Sequence, residues 1–177
     1  KLVYGAEVPF TIKRLPAVRA PQRVDVIVFQ WPEDPSKDFV KRLVGLPGDT
    51  LGMVDGVLRV NGVSVRERYV SHTEPGSDPS GDEFRWQREF LVPSAQAAEA
   101  YRPSRNNWGP IVVTPAHYFV LGDNRDNSLD SRYWGFVPDS MVRGRPILVY
   151  FSYVPDSTSS VAFFTHVRWG RLGARVR

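Results

Sequence analysis

Two stretches of this 177-residue chain hold side chains able to do chemistry. In FVKRLV, Lys41 sits among Phe39, Val40, Leu43 and Val44, and Arg42 is its one charged neighbour. In GDNRDNSLDSR, residues 122–132, three Asp, two Asn, two Ser and two Arg are knotted between an apolar run and the aromatic bracket Tyr133, Trp134, Phe136. A solvated loop has little use for that bracket. Lys41 is conspicuous because only four of the 23 basic residues are Lys (Lys1, Lys13, Lys37 and Lys41), so Arg is the chain's ordinary positive charge. Arg cannot give up its proton in a protein, whereas Lys in an apolar setting can do so and act as a base. The simpler reading is a Lys that faces solvent from a half-buried strand.

Several other chemistries are excluded or disfavoured. The chain has no Cys, so disulfides, zinc–thiolate sites and cysteine nucleophiles do not arise. His72, His117 and His166 lie far apart, none with an acidic residue or second His at ligand spacing, so they are expected to be structural or surface residues and no metal or cofactor is expected. A calcium loop counted from Asp123 fails at Arg125, Ser128 and Trp134, where that pattern wants Asp or Asn, Gly and Glu. The net charge of +4 permits an anionic partner, but the excess gathers late, in HVRWGRLGARVR, which reads equally well as a solvated tail. Nucleic acid is therefore not the expected partner. No run of eighteen apolar residues is present.

The elements that must position these residues are mostly β. Helix formers are scarce, while Val, Gly (14) and Pro (15) are plentiful and apolar runs alternate between turn residues. VDVIVF, residues 24–29, reads as a buried strand, followed by a Pro-rich turn in WPEDPSKD. FVKRLVGLPGDTLGMV reads as strand, tight turn, strand. VLRVNGVSVR places Asn61-Gly62 between two alternating runs, a strong hairpin signal. Beyond Glu67 the character changes: SHTEPGSDPSGDE is loop-like, EFRWQREFLV is expected as a strand, and SAQAAEAY is the best short helix. The core pattern resumes in IVVTPAHYFVLGDN, two strands broken at Pro115, and after one helical turn at most in PDSMVRG it ends with the strand RPILVYFSYV.

KRLVGLPGD and GDNRDNSLDSRYWGFVP resemble two signature blocks of the bacterial type I signal peptidases, membrane-bound Ser/Lys endopeptidases that remove signal peptides from exported proteins. A weaker third block, QRVDVIVFQWPEDPSKDFVKR, is similar to the family's aspartate, apolar strand and Pro-rich turn; Val24 stands where the family usually has Gly, a departure expected to cost little. The resemblance covers residues 1–50 and 110–150 well. It implies a coiled β-sheet catalytic core from residues 1–54 and 110–153, an inserted smaller β-rich lobe at 55–109, and a C-terminal segment at 154–177 that is partly core strand and partly basic tail.

The resemblance also implies roles. Lys41 would be the general base, and Ser128 would hydrogen-bond and orient its amine. Asp130 and Arg132 would form an ionic scaffold beside the pair, Asp123 with Arg125 would stabilise the loop, and Arg42 would be structural. A neutral amine is better served by a hydroxyl than by a carboxylate, which would raise its pKa, so the Asp residues are expected to be taken up by Arg125, Arg132 or backbone amides. The substrate would lie as an added strand beside Lys41, with small side chains near Val28 and Val40. The family's nucleophile belongs to an S-M-x-P-T motif that this sequence lacks, and it is expected shortly upstream of Lys1. Expected partners are signal peptides and the membrane surface, with the domain acting as a monomer on the outer side of a bacterial inner membrane. A Ser/Lys autoprotease of the same fold and a non-enzymatic member that binds signal peptides remain alternatives.

Overall fold

The computed structural model describes residues 19–93 and 100–146. The helix expected at SAQAAEAY and the strand expected at RPILVYFSYV fall almost wholly outside those residues, as do KLVYG at the start and the basic HVRWGRLGARVR. What is described is mostly β, with a curled sheet.

Strand β1 (Val26–Trp31) turns at Pro32-Glu33 into the long β2 (Asp34–Gly45), which bears Lys41. The turn is shorter than the expected WPEDPSKD loop, because Asp34 already pairs with Trp31 once a bulge at Gln30/Trp31 has absorbed the extra residues. Leu46 to Asp49 make the tight turn into β3 (Thr50–Val54); the Asp49 carboxylate accepts from the Leu46 amide at 2.6 Å and from the Arg23 guanidinium at 2.9 Å. Strands β4 (Val57–Val60) and β5 (Val63–Ser64) form the expected hairpin around Asn61 and Gly62, both at positive φ (51° and 80°), which suits Asn-Gly. After β6 (Trp108–Val112) and β7 (His117–Leu121) come a single helical turn α1 (Ser131–Trp134), β8 (Val137–Pro138) and β9 (Val142–Gly144).

Among the described residues these strands form two antiparallel sheets, ordered β8-β7-β2-β1-β9 and β5-β4-β3-β6. Strand alternation distributes β2 and β7 between two cores. Leu43, Tyr118 and Val120 join Ile27, Phe29, Val137 and Val142, whereas Val44, Phe119 and Leu121 join Leu51, Met53, Leu58 and Ile111. Apolar burial on both faces explains why HYFVL has no polar alternation.

EFRWQREFLV, expected as a strand, is a 3-10 helix over Asp82–Phe90. Phe84 and Trp86 imitate a period of two, but the buried side chains are Phe84 and Gln87, three residues apart. Tertiary bonds settle the matter. Trp86 Nε1 and Gln87 Nε2 both donate to the Arg132 carbonyl, at 3.0 and 3.2 Å, and Phe84 packs on Tyr133 with ring centroids 5.0 Å apart. A strand would turn Trp86 and Gln87 to opposite sides.

Val24 also differs from expectation. Its φ is +76°, a conformation that a β-branched residue adopts only under strain. The strain persists because the backbone there is fixed: the Val24 amide donates to the Leu43 carbonyl at 2.8 Å and the Val24 carbonyl accepts from Arg42 at 2.9 Å. A glycine at this position would meet the geometry freely, so its replacement does have a cost.

Candidate active site

On β2 the side chains of Phe39, Lys41 and Leu43 share one face, and Lys41 pairs across the ladder with Ile27. Lys41 is half-buried, and its Nζ lies 5.7 Å from the centre of the Phe39 ring. Burial in this apolar setting pushes the amine's pKa below the ordinary Lys value; Asp130 pulls it back up, and Arg132 pushes it down again. Desolvation is the largest of these effects and decides the direction.

The antiparallel ladder between β2 and β7 ends with Arg42 paired with Leu121, and Gly122 follows directly after it. A side chain at Gly122 would point to where Ser128 already sits: a Cβ there would lie 2.1 Å from Ser128 Oγ. Gly122 is therefore the recess that admits the Ser128 side chain. Ser128 Oγ is buried and, among the described residues, has no hydrogen-bond partner, in contrast to the side chains of Asp126, Asp130 and Arg132.

Asp130 and Arg132 are wholly buried and pair through two 2.8 Å contacts. Asp130 also caps α1 by accepting from the Arg132 amide at 3.2 Å, and it takes the Gly122 amide at 3.0 Å. Arg132 reaches on to the Arg125 carbonyl at 2.7 Å. One buried ion pair thus holds both ends of the knot, with its carboxylate fully occupied by donors.

Asp123 does not pair with Arg125. Arg42, at the neighbouring position to Lys41, grips both Asp123 oxygens at 2.7 and 2.6 Å, while Arg125 forks onto Glu67 at 2.8 and 2.7 Å. The physical reason is side-chain direction: Arg42 leaves β2 on the face opposite Lys41, toward Asp123 at the end of β7. Arg125 turns inward instead, and its Nε donates to the Gly122 carbonyl at 3.2 Å. Val28 and Val40 pair with one another on β1 and β2, on the face away from Lys41, and Val40 is 54% exposed.

The sequence offered no pointer to Glu67, Tyr69, His72 or Arg105. Glu67 is 58 positions from Arg125. The Tyr69 ring lies 3.9 Å from the Arg42 guanidinium. His72 Nδ1 is 3.0 Å from an oxygen of buried Asp126, and buried Arg105 donates to the Asp126 carbonyl at 2.8 Å. Burial alone would raise the Asp126 pKa, but the Glu74 amide, His72 and Arg105 together hold it below the usual carboxylate range. Such partners announce themselves in a sequence only through local spacing, and here there is none.

Residues 1–151 match the family model described as signal peptidase, peptidase S26. The chain is 35% identical to a signal peptidase I of Pseudomonas aeruginosa over 94% of its own length and 62% of that protein's, and 36% identical to a signal peptidase I of Pseudomonas fluorescens over the same shares. It therefore spans about three-fifths of the length of these curated relatives. A crystal structure of a signal peptidase I from Enterococcus faecalis V583 is similar at 32% identity, with 72% of this chain and 97% of that one covered and a TM-score of 0.49.

Proposed function

From the premise that this chain belongs to the signal peptidase family, peptidase S26, we propose that it is the catalytic part of a membrane-associated serine endopeptidase that removes signal peptides from exported proteins. Lys41 is the general base and Ser128 orients it. The observation that carries the reading is Lys41 itself, a half-buried amine with a depressed pKa on β2, while the buried hydroxyl of Ser128, packed against Gly122, has no hydrogen-bond partner among the described residues.

The attacking group in this reading is a serine hydroxyl. Neutral Lys41 takes that hydroxyl's proton at Nζ as the oxygen bonds to the scissile carbonyl carbon, and the resulting ammonium protonates the departing amine as the peptide bond breaks. Lys41, neutral again, then takes a proton from the water that attacks the ester, and the serine leaves with that proton restored. Asp130 and Arg132 keep the knot in place without exposing a free carboxylate to the amine, which would hold the proton on it. The substrate runs extended beside β2 on the Lys41 face, the face that Val28 and Val40 turn away from. Exposed Val40 and Leu129 are consistent with work at a lipid surface, on the outer side of a bacterial inner membrane.

The test is Lys41→Arg in the full-length natural enzyme. Arg keeps the charge and approximate length but cannot serve as a base, so kcat should fall at least about 10³-fold, whereas Ser128→Ala should lose about 10- to 100-fold. A Lys41→Arg enzyme that keeps more than about a tenth of wild-type activity would sink the Ser/Lys reading.

A further inference from the structure

Lys41 stands on β2 and Ser128 in the knot, and in the Ser/Lys reading something must fix the distance between the strand and the knot. Hydrogen bonds and ring contacts from both sides converge on a single short stretch, Glu67-Arg68-Tyr69. Glu67, its side chain 6% exposed, holds both terminal nitrogens of Arg125, which is 1% exposed. Arg125 passes that hold to the Gly122 carbonyl, and Gly122 is the recess against which Ser128 packs. On the other side the Tyr69 ring lies against the guanidinium of Arg42, the residue next to Lys41, and the Tyr69 hydroxyl donates to Glu67 Oε1 at 2.7 Å. Burial and the adjacent Glu67 carboxylate push the Tyr69 pKa up, so the hydroxyl keeps its proton and remains a donor.

We propose that Glu67, with Tyr69, is the positioning residue that sets Ser128 against Lys41 by bracing Arg125 in the knot and Arg42 on the base's strand. A buried ion pair contributes little stability over a well-packed apolar pair, and its better attested use is to fix one arrangement among several. Glu67 does this for Arg125 directly and for Arg42 through the Tyr69 ring. It touches no reacting atom and acts only through its partners. The inference rests on the Ser/Lys reading above.

The experiment measures kcat and KM of the full-length natural enzyme on a fluorogenic peptide with small residues at alternate positions before the scissile bond. The variants are Glu67→Gln, Glu67→Asp and Tyr69→Phe, with Asp49→Ala, at the distant β2–β3 turn, as a comparator that loses stability alone. All are assayed below the onset of unfolding. Glu67→Gln should lower kcat by about tenfold or more with KM within about threefold, Glu67→Asp should lose less, and Asp49→Ala should keep kcat within about threefold. If Glu67→Gln does not fold, Tyr69→Phe, which keeps the ring on Arg42 and loses only the hydroxyl, should still cost about three- to tenfold in kcat. Unchanged kcat in the folded Glu67 variants, or in Tyr69→Phe where Glu67→Gln fails to fold, overturns the inference alone when wild type cleaves and Lys41→Arg does not. An inactive wild type, or an active Lys41→Arg, overturns the Ser/Lys reading and this inference with it.

Discussion

Adding one methyl group at Gly122 tests the site more directly than removing Ser128. The φ of Gly122 lies outside the left-handed region, so Ala meets no backbone penalty and only space decides the outcome. The new Cβ would lie 2.1 Å from Ser128 Oγ and 2.4 Å from Ser128 Cβ, with the next nearest atom, the Asn124 carbonyl oxygen, at 3.7 Å. Non-bonded heavy atoms settle at roughly 3.5 Å, so Ser128 must retreat by more than about 1 Å. It cannot do so freely, because Asp130 and Arg132, two and four positions on, are locked in the buried pair. Overpacking of this kind costs about 1–3 kcal/mol of stability, and an orienting group misplaced by about 1 Å costs about 10²-fold in rate, or about 2.7 kcal/mol of barrier. Chemical denaturation followed by circular dichroism reads the first effect, and kcat of the full-length natural enzyme reads the second. In Gly122→Ala/Ser128→Gly the space is returned, so stability should recover to within about 1 kcal/mol while activity stays low. A Gly122→Ala protein with wild-type stability and kcat within about threefold would refute the packing argument.

Two further outcomes follow from the same geometry. The Lys41 pKa is depressed, so folding disfavours its protonated form, and the cost is fully present below the folded-state pKa and relieved as pH rises toward the unfolded value of about 10.4; the rising limb of kcat against pH should accordingly lie below that value, and a limb at or above it would contradict the burial of the amine. Val24→Gly should raise stability by up to about 1 kcal/mol in urea denaturation, since relief of about 1–2 kcal/mol of left-handed strain outweighs about 0.5–1 kcal/mol of glycine entropy, and a loss of stability would show that the strain is absent.

Local patterns determined much of this protein. Apolar runs bounded by turns and Asn-Gly chemistry specify β1, the Lys41 half of β2, β3, β7 and the β4–β5 hairpin, because strand faces and two-residue turns are written in neighbouring residues. The rarity of Lys in an Arg-rich chain singles out Lys41 as a matter of residue type, whereas Ser128, one of two serines in the knot, is picked out by the resemblance of GDNRDNSLDSR to the family's block. Tertiary structure alone decided the rest. EFRWQREF has a strand's alternation, yet Trp86 and Gln87 must meet the one carbonyl of Arg132, and only a 3-10 helix turns both toward it. Val24 looks harmless until β2 clamps its carbonyl and amide and fixes φ at +76°. The choice of partners among the charges was equally invisible: Asp123 and Arg125 stand two positions apart, but one is drawn to Arg42 across 81 positions and the other to Glu67 across 58. An ion pair depends on separation in space and on burial, and spacing along the chain records neither.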